Sequence, residues 1–333
     1  MARPLRIEYP NASYHVVNRG NHRATVFHDD WHYQEFVDKL GLLATDFRVV
    51  VHAYCCMPNH FHLYLRTPDA NLSRFMQNFL TSFGVASNKK RRSSGHIFQG
   101  RFKAQLVDDE CYRSRLSRYI HLNPIRTQSL RKATLEERHD HLHQFKWSSY
   151  RCYLGVSKTP PWLDCGPVLS CWGEKKREQV KNYAVYVEEG LRRNLESPFD
   201  DMVEQTIIGS DRFVDWVKRE HLLRRPSNKG EEPALVHLQQ SFSIDDIINH
   251  VAMVYDVDRE SIRKRKSPHR VARRLAMYCA CVYCRYNHGL SDLARQFSVS
   301  VSALTQARDQ VLKNSPPKVR AALREIEGMI AKT

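Results

Sequence analysis

The residues best suited to chemistry lie in "MPNHFHL", where His60 and His62 stand two apart in a stretch, 60–66, that alternates side chains as a strand does. A period of two puts both imidazoles on one face, where both can hold one cation. On spacing alone, two half-exposed sheet histidines are the commoner outcome, so a third donor is needed to shift the balance. Tyr119 and Asn123 stand four apart in a predicted helix over 108–123 and project from one face, a turn apart. An amide oxygen is a hard donor. Two imidazoles, an amide oxygen and open positions suit Mg²⁺ or Mn²⁺ that must also bind a phosphate. The plain reading of Tyr119 is a helix tyrosine with its hydroxyl at the surface. Tyr112 is a rival, about two turns earlier on nearly the same face.

The elements that must position these groups follow from periodicity. "SYHVVNRG" (13–20) predicts a strand ended by a glycine turn, and residues 29–47 predict a helix with an apolar stripe at Phe36, Val37, Leu40 and Leu43. "RVVVHAYCCM" (48–57) is β-branched and apolar, so it predicts a strand that turns at "PN" into the histidine strand. Residues 71–90 return to helical spacing; a basic, Ser/Gly-rich loop follows, then a strand at 102–107. The helix over 108–123 opens on acids and ends before Pro124. The order β-α-β-β-α-β-α predicts an α+β, ferredoxin-like domain over 1–128, an antiparallel sheet with helices on one face. Residues 129–223 predict a mostly helical extension and 224–240 a polar linker. Residues 241–331 predict a separate all-α unit.

The chain has 333 residues, which at about 150 per domain suggests two domains or three. With 42% hydrophobic and 26% charged residues it carries enough apolar material for real cores, which excludes wholesale disorder. No apolar run approaches the ~18 residues of a membrane span and the N-terminus lacks a signal-peptide core, so a cytoplasmic protein without membrane attachment is expected. The 52 Lys and Arg against 36 Asp and Glu give a net charge of +16, a field that attracts polyanions, nucleic acid first. The nine cysteines are read as reduced thiols. Cys281 and Cys284 form a lone C-x-x-C with Cys279 nearby, read as core packing rather than zinc because no second pair follows. "HDHLH", with His139, His141 and His143, is read as facing solvent or DNA.

"MPNHFHLYL", followed about forty residues later by "FQGRFKAQLVDDECYRSRLSRYIHLNPIR", resembles the single-tyrosine HUH transposases, and within them the REP-associated tyrosine transposases. The resemblance covers roughly residues 1–220. It implies a metal held by His60, His62 and Asn123, with Tyr119 in the "Y-I-x-x-N-P" stretch as the nucleophile. It implies cleavage of single-stranded DNA at hairpin-forming repetitive palindromes through a 5′-phosphotyrosine. Intact His60, His62, Tyr119 and Asn123 favour activity over a non-catalytic DNA-binding regulator descended from such an enzyme. Lys89, Lys90, Arg91 and Arg92, with Arg101 and Lys103, are expected to position phosphates. Arg19 and Arg23 match a turn that resembles a DNA-contacting element. The family includes helix-swapped dimers and monomers, and the long C-terminal extension tilts the expectation toward a monomer.

Residues 241–312 resemble the C-terminal DNA-binding domain of the replication initiator DnaA, although the initiator's recognition-helix signature is replaced by "SVSVSA". The pattern is an amphipathic helix, a basic loop, a long buried helix and a helix-turn-helix. Arg263, Lys264, Arg265, Lys266, Arg270, Arg273 and Arg274 are expected to meet backbone phosphates or a minor groove. Ser300, Ser302, Thr305 and Gln306 are expected to face base edges, which adds duplex DNA as a second partner.

Overall fold

The computed structural model of the chain describes residues 6–192, 198–199, 202–203, 206–222, 242–284, 288, 290–314 and 316–330. The chain forms two compact units, one ending at Ser210 and the other starting at Asp211. The linker expected at 224–240 lies outside the described residues.

The first unit follows the expected order: β1 (Ala12–Arg19), α1 (Asp30–Asp46), β2 (Val50–Met57), β3 (His60–Thr67), α2 (Leu72–Arg91), β4 (Lys103–Val107) and α3 (Asp109–His121). The strands pair antiparallel in the order β2-β3-β1-β4. Register decides the chemistry. His62 lies opposite Val17 and Cys55, and His15 lies opposite Tyr64 and Gln105, so His15, His60, His62 and Gln105 all project from one face. The other face carries Phe61, which meets Phe36 of α1 at 4.9 Å between ring centroids; Phe36 in turn packs on Phe79 and Phe83 of α2. Each of these wholly buried rings contributes about 2 kcal/mol of transfer free energy.

The helices therefore do not share one face. Helices α1 and α2 pack below Phe61, whereas α3 lies on the histidine face, where Tyr64 hydrogen-bonds Asp109. The reason is geometric: alternation sends Phe61 and the histidines to opposite sides, and Tyr64, on the histidine side, holds the first turn of α3 through Asp109. The extension also differs from expectation. Between its helices α4 (Leu135–Gln144), α5 (Tyr150–Tyr153), α6 (Gly166–Leu169) and α7 (Lys176–Arg192) and the end of the unit it supplies two short strands. These are β5 (Met202–Val203) and β6 (Ile207–Ile208); β6 runs parallel to β4 and widens the sheet to six strands among the described residues.

The second unit begins with α8 (Asp211–Val217), a segment expected to belong to the extension. It continues with α9 (Ile244–Tyr255), α10 (Arg259–Arg263), α11 (Arg270–Cys279), α12 (Leu290–Gln296), α13 (Val301–Asn314) and α14 (Pro317–Ile330). Ser243 and Asp246 form a reciprocal cap that starts α9. Ile247, Val251, Leu275, Cys279, Phe297 and Leu304 share its core. Cys281 and Cys284 are buried there too, and no metal cluster containing cysteine occurs among the described residues. No described helix is long and apolar enough to cross a membrane.

Candidate active site

Three neighbouring strands hold a line of side chains on the histidine face. Gln105 Oε1 lies 2.8 Å from His15 Nδ1, and His15 Nε2 lies 2.9 Å from His62 Nδ1. With the Gln105 carbonyl turned inward, His15 must donate through Nδ1 and accept through Nε2. His62 then donates through Nδ1, which leaves its Nε2 with a bare lone pair. His60 arrives at the same form independently. Asn59 donates through Nδ2 to the Arg23 carbonyl at 3.3 Å, so its Oδ1, 2.7 Å from His60 Nδ1, accepts from that ring. Burial drives His15 and His60 down to about 4, with the Arg19 charge adding to the effect at His60. His62 is held well below its ordinary value by burial first, and then by the charges of His15, His60, Arg126 and Arg19. All three are neutral rings at pH 7. The rings of His60 and His62 stand 5.1 Å apart, nearly perpendicular.

Tyr119 comes to this pair from α3. Its ring lies 5.6 Å from His62 and 6.1 Å from His15, edge-on to both. Tyr112 is buried, with the Arg115 guanidinium over its ring. Burial raises the Tyr119 hydroxyl, and the charge of Arg126, a hydrogen bond from it and the charge of Arg19 oppose that rise. Arg126 Cζ sits 4.6 Å from the centre of the Tyr119 ring. Phe199 closes the group from the far end of the extension, 4.8 Å from Tyr119 and 5.2 Å from His15.

Asn123 stands where the expectation was imprecise. Helix α3 ends at His121, and Asn123 opens a 3₁₀ turn, Asn123–Arg126. Its Nδ2 donates to the carbonyls of Tyr119 at 2.9 Å and Ile120 at 3.4 Å, capping the helix that carries the tyrosine. Those bonds leave Oδ1 uncommitted. Two neutral imidazoles with outward Nε2 atoms and one amide oxygen fit a divalent cation with N/O preference. No third His, Cys, Asp or Glu joins His60 and His62 in a ligand cluster among the described residues.

A buried polar network fixes the end of α3. His121 bonds the Tyr183 hydroxyl of α7 and the Ser149 hydroxyl, each at 2.8 Å, and Tyr183 donates to Ser117 at 3.0 Å. Ser149 also accepts from the Tyr54 amide of β2 at 2.9 Å. The "WSSY" segment thus anchors the helix that carries Tyr119 to the sheet. Trp147 stacks on Tyr33 of α1 at 4.8 Å.

Beside His60, three loops are stitched through their backbones. Gly20 N donates to Asn59 O at 2.8 Å, Asn21 N to Ile97 O at 2.8 Å and Gln99 N to Arg19 O at 2.9 Å. A Cβ on Gly20 would meet the Ala24 carbonyl oxygen at 2.1 Å, so the turn requires glycine. The result is a rim on which Arg19, Arg23 and Arg101 are exposed. Lys89, Lys90 and Arg91 occupy the last turn of α2 rather than a loop, where cations suit the helix dipole, and Arg92 is its left-handed cap. These four and Lys103 are exposed.

Residues 8–123 match the family model described as "Transposase IS200 like". The match covers about a third of the chain. The matched segment contains His60, His62 and Tyr119, which lie together on one face of the sheet, and Asn123, which follows α3. Among solved structures, the chain is similar to a REP-associated tyrosine transposase bound to a REP hairpin. The identity is 18% over 49% of this chain and 92% of that one, with a TM-score of 0.38. No curated protein matches the chain.

Several residues around this site escaped sequence reasoning: His15, Gln105, Asn59, Arg126, His121 and Phe199. Polar residues inside strands that otherwise read as buried, His15 and Gln105, were the available signal. In the second unit the basic cluster divides. Arg273 is buried and donates to the carbonyls of Ile262 at 2.7 Å, Arg263 at 2.6 Å and also Phe297, so it is spent on the fold rather than on a ligand. Arg263 is half-buried and pairs with Asp245 at 2.6 Å. Lys264, Arg265, Lys266, Arg270 and Arg274 are exposed. Thr305 turns its hydroxyl back to the carbonyls of Val301 and Ser302, and Ser300 caps α13 by accepting from Ala303 N at 3.1 Å. Ser302 and Gln306 face solvent.

Proposed function

We propose that the chain is a metal-dependent single-strand DNA endonuclease and strand transferase that acts at hairpin-forming, REP-like DNA through a Tyr119 phosphotyrosine. The observation that carries this reading is the placement of the Tyr119 ring against His62, whose Nε2 is left with a lone pair by the Gln105–His15 relay. Mg²⁺ or Mn²⁺ held by His60, His62 and Asn123 Oδ1 would supply Lewis acidity at the scissile phosphate. Tyr119 Oη forms the new P–O bond in line with the departing O3′. The phenolic proton goes to solvent, and the 3′ oxygen takes up a proton as it leaves. A phenol with a pKa of ~10 is both an accessible nucleophile and a usable leaving group, so rejoining needs no external energy. Arg126 stabilises the phenolate and leaves a cation beside the phosphoryl oxygens. Arg19, Arg23, Arg101, Lys103 and the basic end of α2 hold the DNA backbone next to the histidines.

Tyr119 meets the histidines of its own chain, which supports a monomer working in cis. In the second unit, α12 and α13 are joined by the four residues 297–300, the connection of a helix-turn-helix. Exposed Ser302 and Gln306 on α13, with Lys264, Arg265, Lys266, Arg270 and Arg274, support duplex binding in the manner of the DnaA domain.

The test uses end-labelled hairpin oligonucleotides from the encoding genome with Mg²⁺ or Mn²⁺, resolved on a denaturing gel. Wild type and Tyr112→Phe are expected to give a protein–DNA adduct that chelator abolishes, and Tyr119→Phe none. Tight hairpin binding without adduct from any variant would overturn the enzyme and leave a DNA-binding regulator.

A further inference from the structure

A second cluster of donors lies away from the tyrosine. The "HDHLH" segment belongs to α4, whose start is fixed by a reciprocal cap between Thr134 and Glu137. On a helix, residues four apart share a face, so His139 and His143 lie together while His141 is exposed. Their rings stack with centroids 4.2 Å apart. Helix α7 brings Glu188 to both: its Oε1 is 2.9 Å from His143 Nε2 and 3.9 Å from His139 Nε2. One ligand atom from each of the three falls within 4.8 Å of the other two. The second nitrogen of His139, Nδ1, has the Asp140 carboxylate 3.4 Å away, the kind of outer partner that orients metal-bound imidazoles.

Two further features bear on the cluster. Tyr150 is wholly buried, its hydroxyl is raised by burial and by the Glu188 carboxylate it faces, and its ring stands 5.8 Å from His143. A cavity of about 700 Å³ lined by Leu135, Glu136, His139, Val185, Glu188 and Arg192 opens beside it, giving an ion access and room for a fourth ligand. All three donors are half-buried. A bare ion pair between such groups contributes about 0–1 kcal/mol, too little to account for convergent placement of three.

We propose that His139, His143 and Glu188 form a transition-metal site of the zinc class, distinct from the His60–His62 pair, which clamps α4 to α7. Two imidazoles at helical spacing plus one carboxylate and an open position make the His₂–carboxylate donor set typical of four-coordinate Zn²⁺. Because α7 also carries Tyr183, the partner of His121, the clamp braces the helix that presents Tyr119.

The experiment titrates the full-length, metal-free protein with Co²⁺ as a coloured zinc probe and follows visible absorption, with Zn²⁺ competition and thermal melting in parallel. The expected result is a tight tetrahedral Co²⁺ spectrum in wild type and in His60→Ala/His62→Ala. It should be lost in His139→Ala/His143→Ala and weakened at least tenfold in Glu188→Gln, which keeps the side chain's shape. Zn²⁺ should raise the melting temperature of the His60→Ala/His62→Ala protein and leave that of His139→Ala/His143→Ala unchanged. Binding that disappears with His60→Ala/His62→Ala and survives His139→Ala/His143→Ala would overturn the proposal, as would wild-type affinity in Glu188→Gln. None of these readouts depends on DNA cleavage, so failure here and failure of the transposase reading are separable.

Discussion

Gln105 reaches His62 only through His15, yet its replacement should weaken the metal binding proposed at His60 and His62. Its carbonyl selects the His15 tautomer, and that selection is passed to His62 through the 2.9 Å contact between the two rings. Gln105→Leu removes the acceptor from a fully buried ring. His15 then either leaves an Nδ1–H unpaired or moves its proton to Nε2. In the second case it donates to His62 Nδ1 and leaves His62 Nε2 protonated and closed to a metal. An unmade buried hydrogen bond costs about 1–3 kcal/mol, and that preference is what the relay loses. At about 1.4 kcal/mol per tenfold, Mn²⁺ affinity should fall by roughly 5- to 150-fold, a span that brackets the roughly 10- to 100-fold typical when outer partners of metal-bound histidines are removed. Isothermal titration with Mn²⁺ measures the loss, and long-range ¹H–¹⁵N spectra of the metal-free protein report the His62 tautomer directly. Gln105→Glu retains an acceptor and should bind within a few-fold of wild type. Wild-type Mn²⁺ affinity in Gln105→Leu, with His62 still protonated on Nδ1, would refute the relay.

Arg126→Ala should slow adduct formation by about 10²-fold while changing hairpin affinity much less, as expected for a group that meets developing charge; it should also shift the pH–rate profile to higher pH, because the cation opposing the burial-driven rise of Tyr119 is gone. Acid should destabilise the first unit through its buried neutral histidines. Burial lowers His15 to about 4 and His121 to about 3, both below the unfolded value near 6.5, so the unfolded chain binds the extra protons. Their contribution is complete above about pH 6.5 and is lost as pH falls through the folded values, with His15 alone costing about 3 kcal/mol by pH 4, measurable by urea titration across that window. Arg273→Met should destabilise the second unit by about 2–4 kcal/mol, since three carbonyls lose their donor. Arg270→Ala or Arg274→Ala should leave its melting unchanged and reduce the salt slope of duplex binding by about 1 each.

Much of the site was legible because it is local. Alternation is enough to put His60 and His62 on one face, and helical periodicity places Tyr119 on α3, while Asn123 follows that helix in a 3₁₀ turn. Which helix covers which face was not legible, because a strand's alternation creates two sides without assigning partners to either. The Gln105–His15–His62 line depends on register between strands 47 and 90 residues apart in sequence, and that information sits in no single segment. Phe199 lies beyond any patterned stretch, and strands of two residues are too short to show a period. The end of α3 was displaced from the expected 123 because Asn123 spends its own amide on capping. In the basic cluster, charge density hid a division of labour: Arg270 and Arg274 share an exposed face, while Arg273 turns inward to carbonyls that lack other donors.

The rim beside His60 is joined through peptide groups: Gly20 to Asn59, Asn21 to Ile97 and Gln99 to Arg19. A seam made of main-chain bonds is indifferent to most side chains, so the exposed positions along it, His96 and Arg101, can be exchanged at little cost to folding, whereas Gly20 and Asn59 cannot, and His22 and Arg23 hold left-handed backbone that disfavours β-branched replacements. Such a surface can be rewritten while the chemistry a few ångströms away stays intact. Variants at His96 and Arg101 therefore probe the DNA contact proposed for this rim separately from folding.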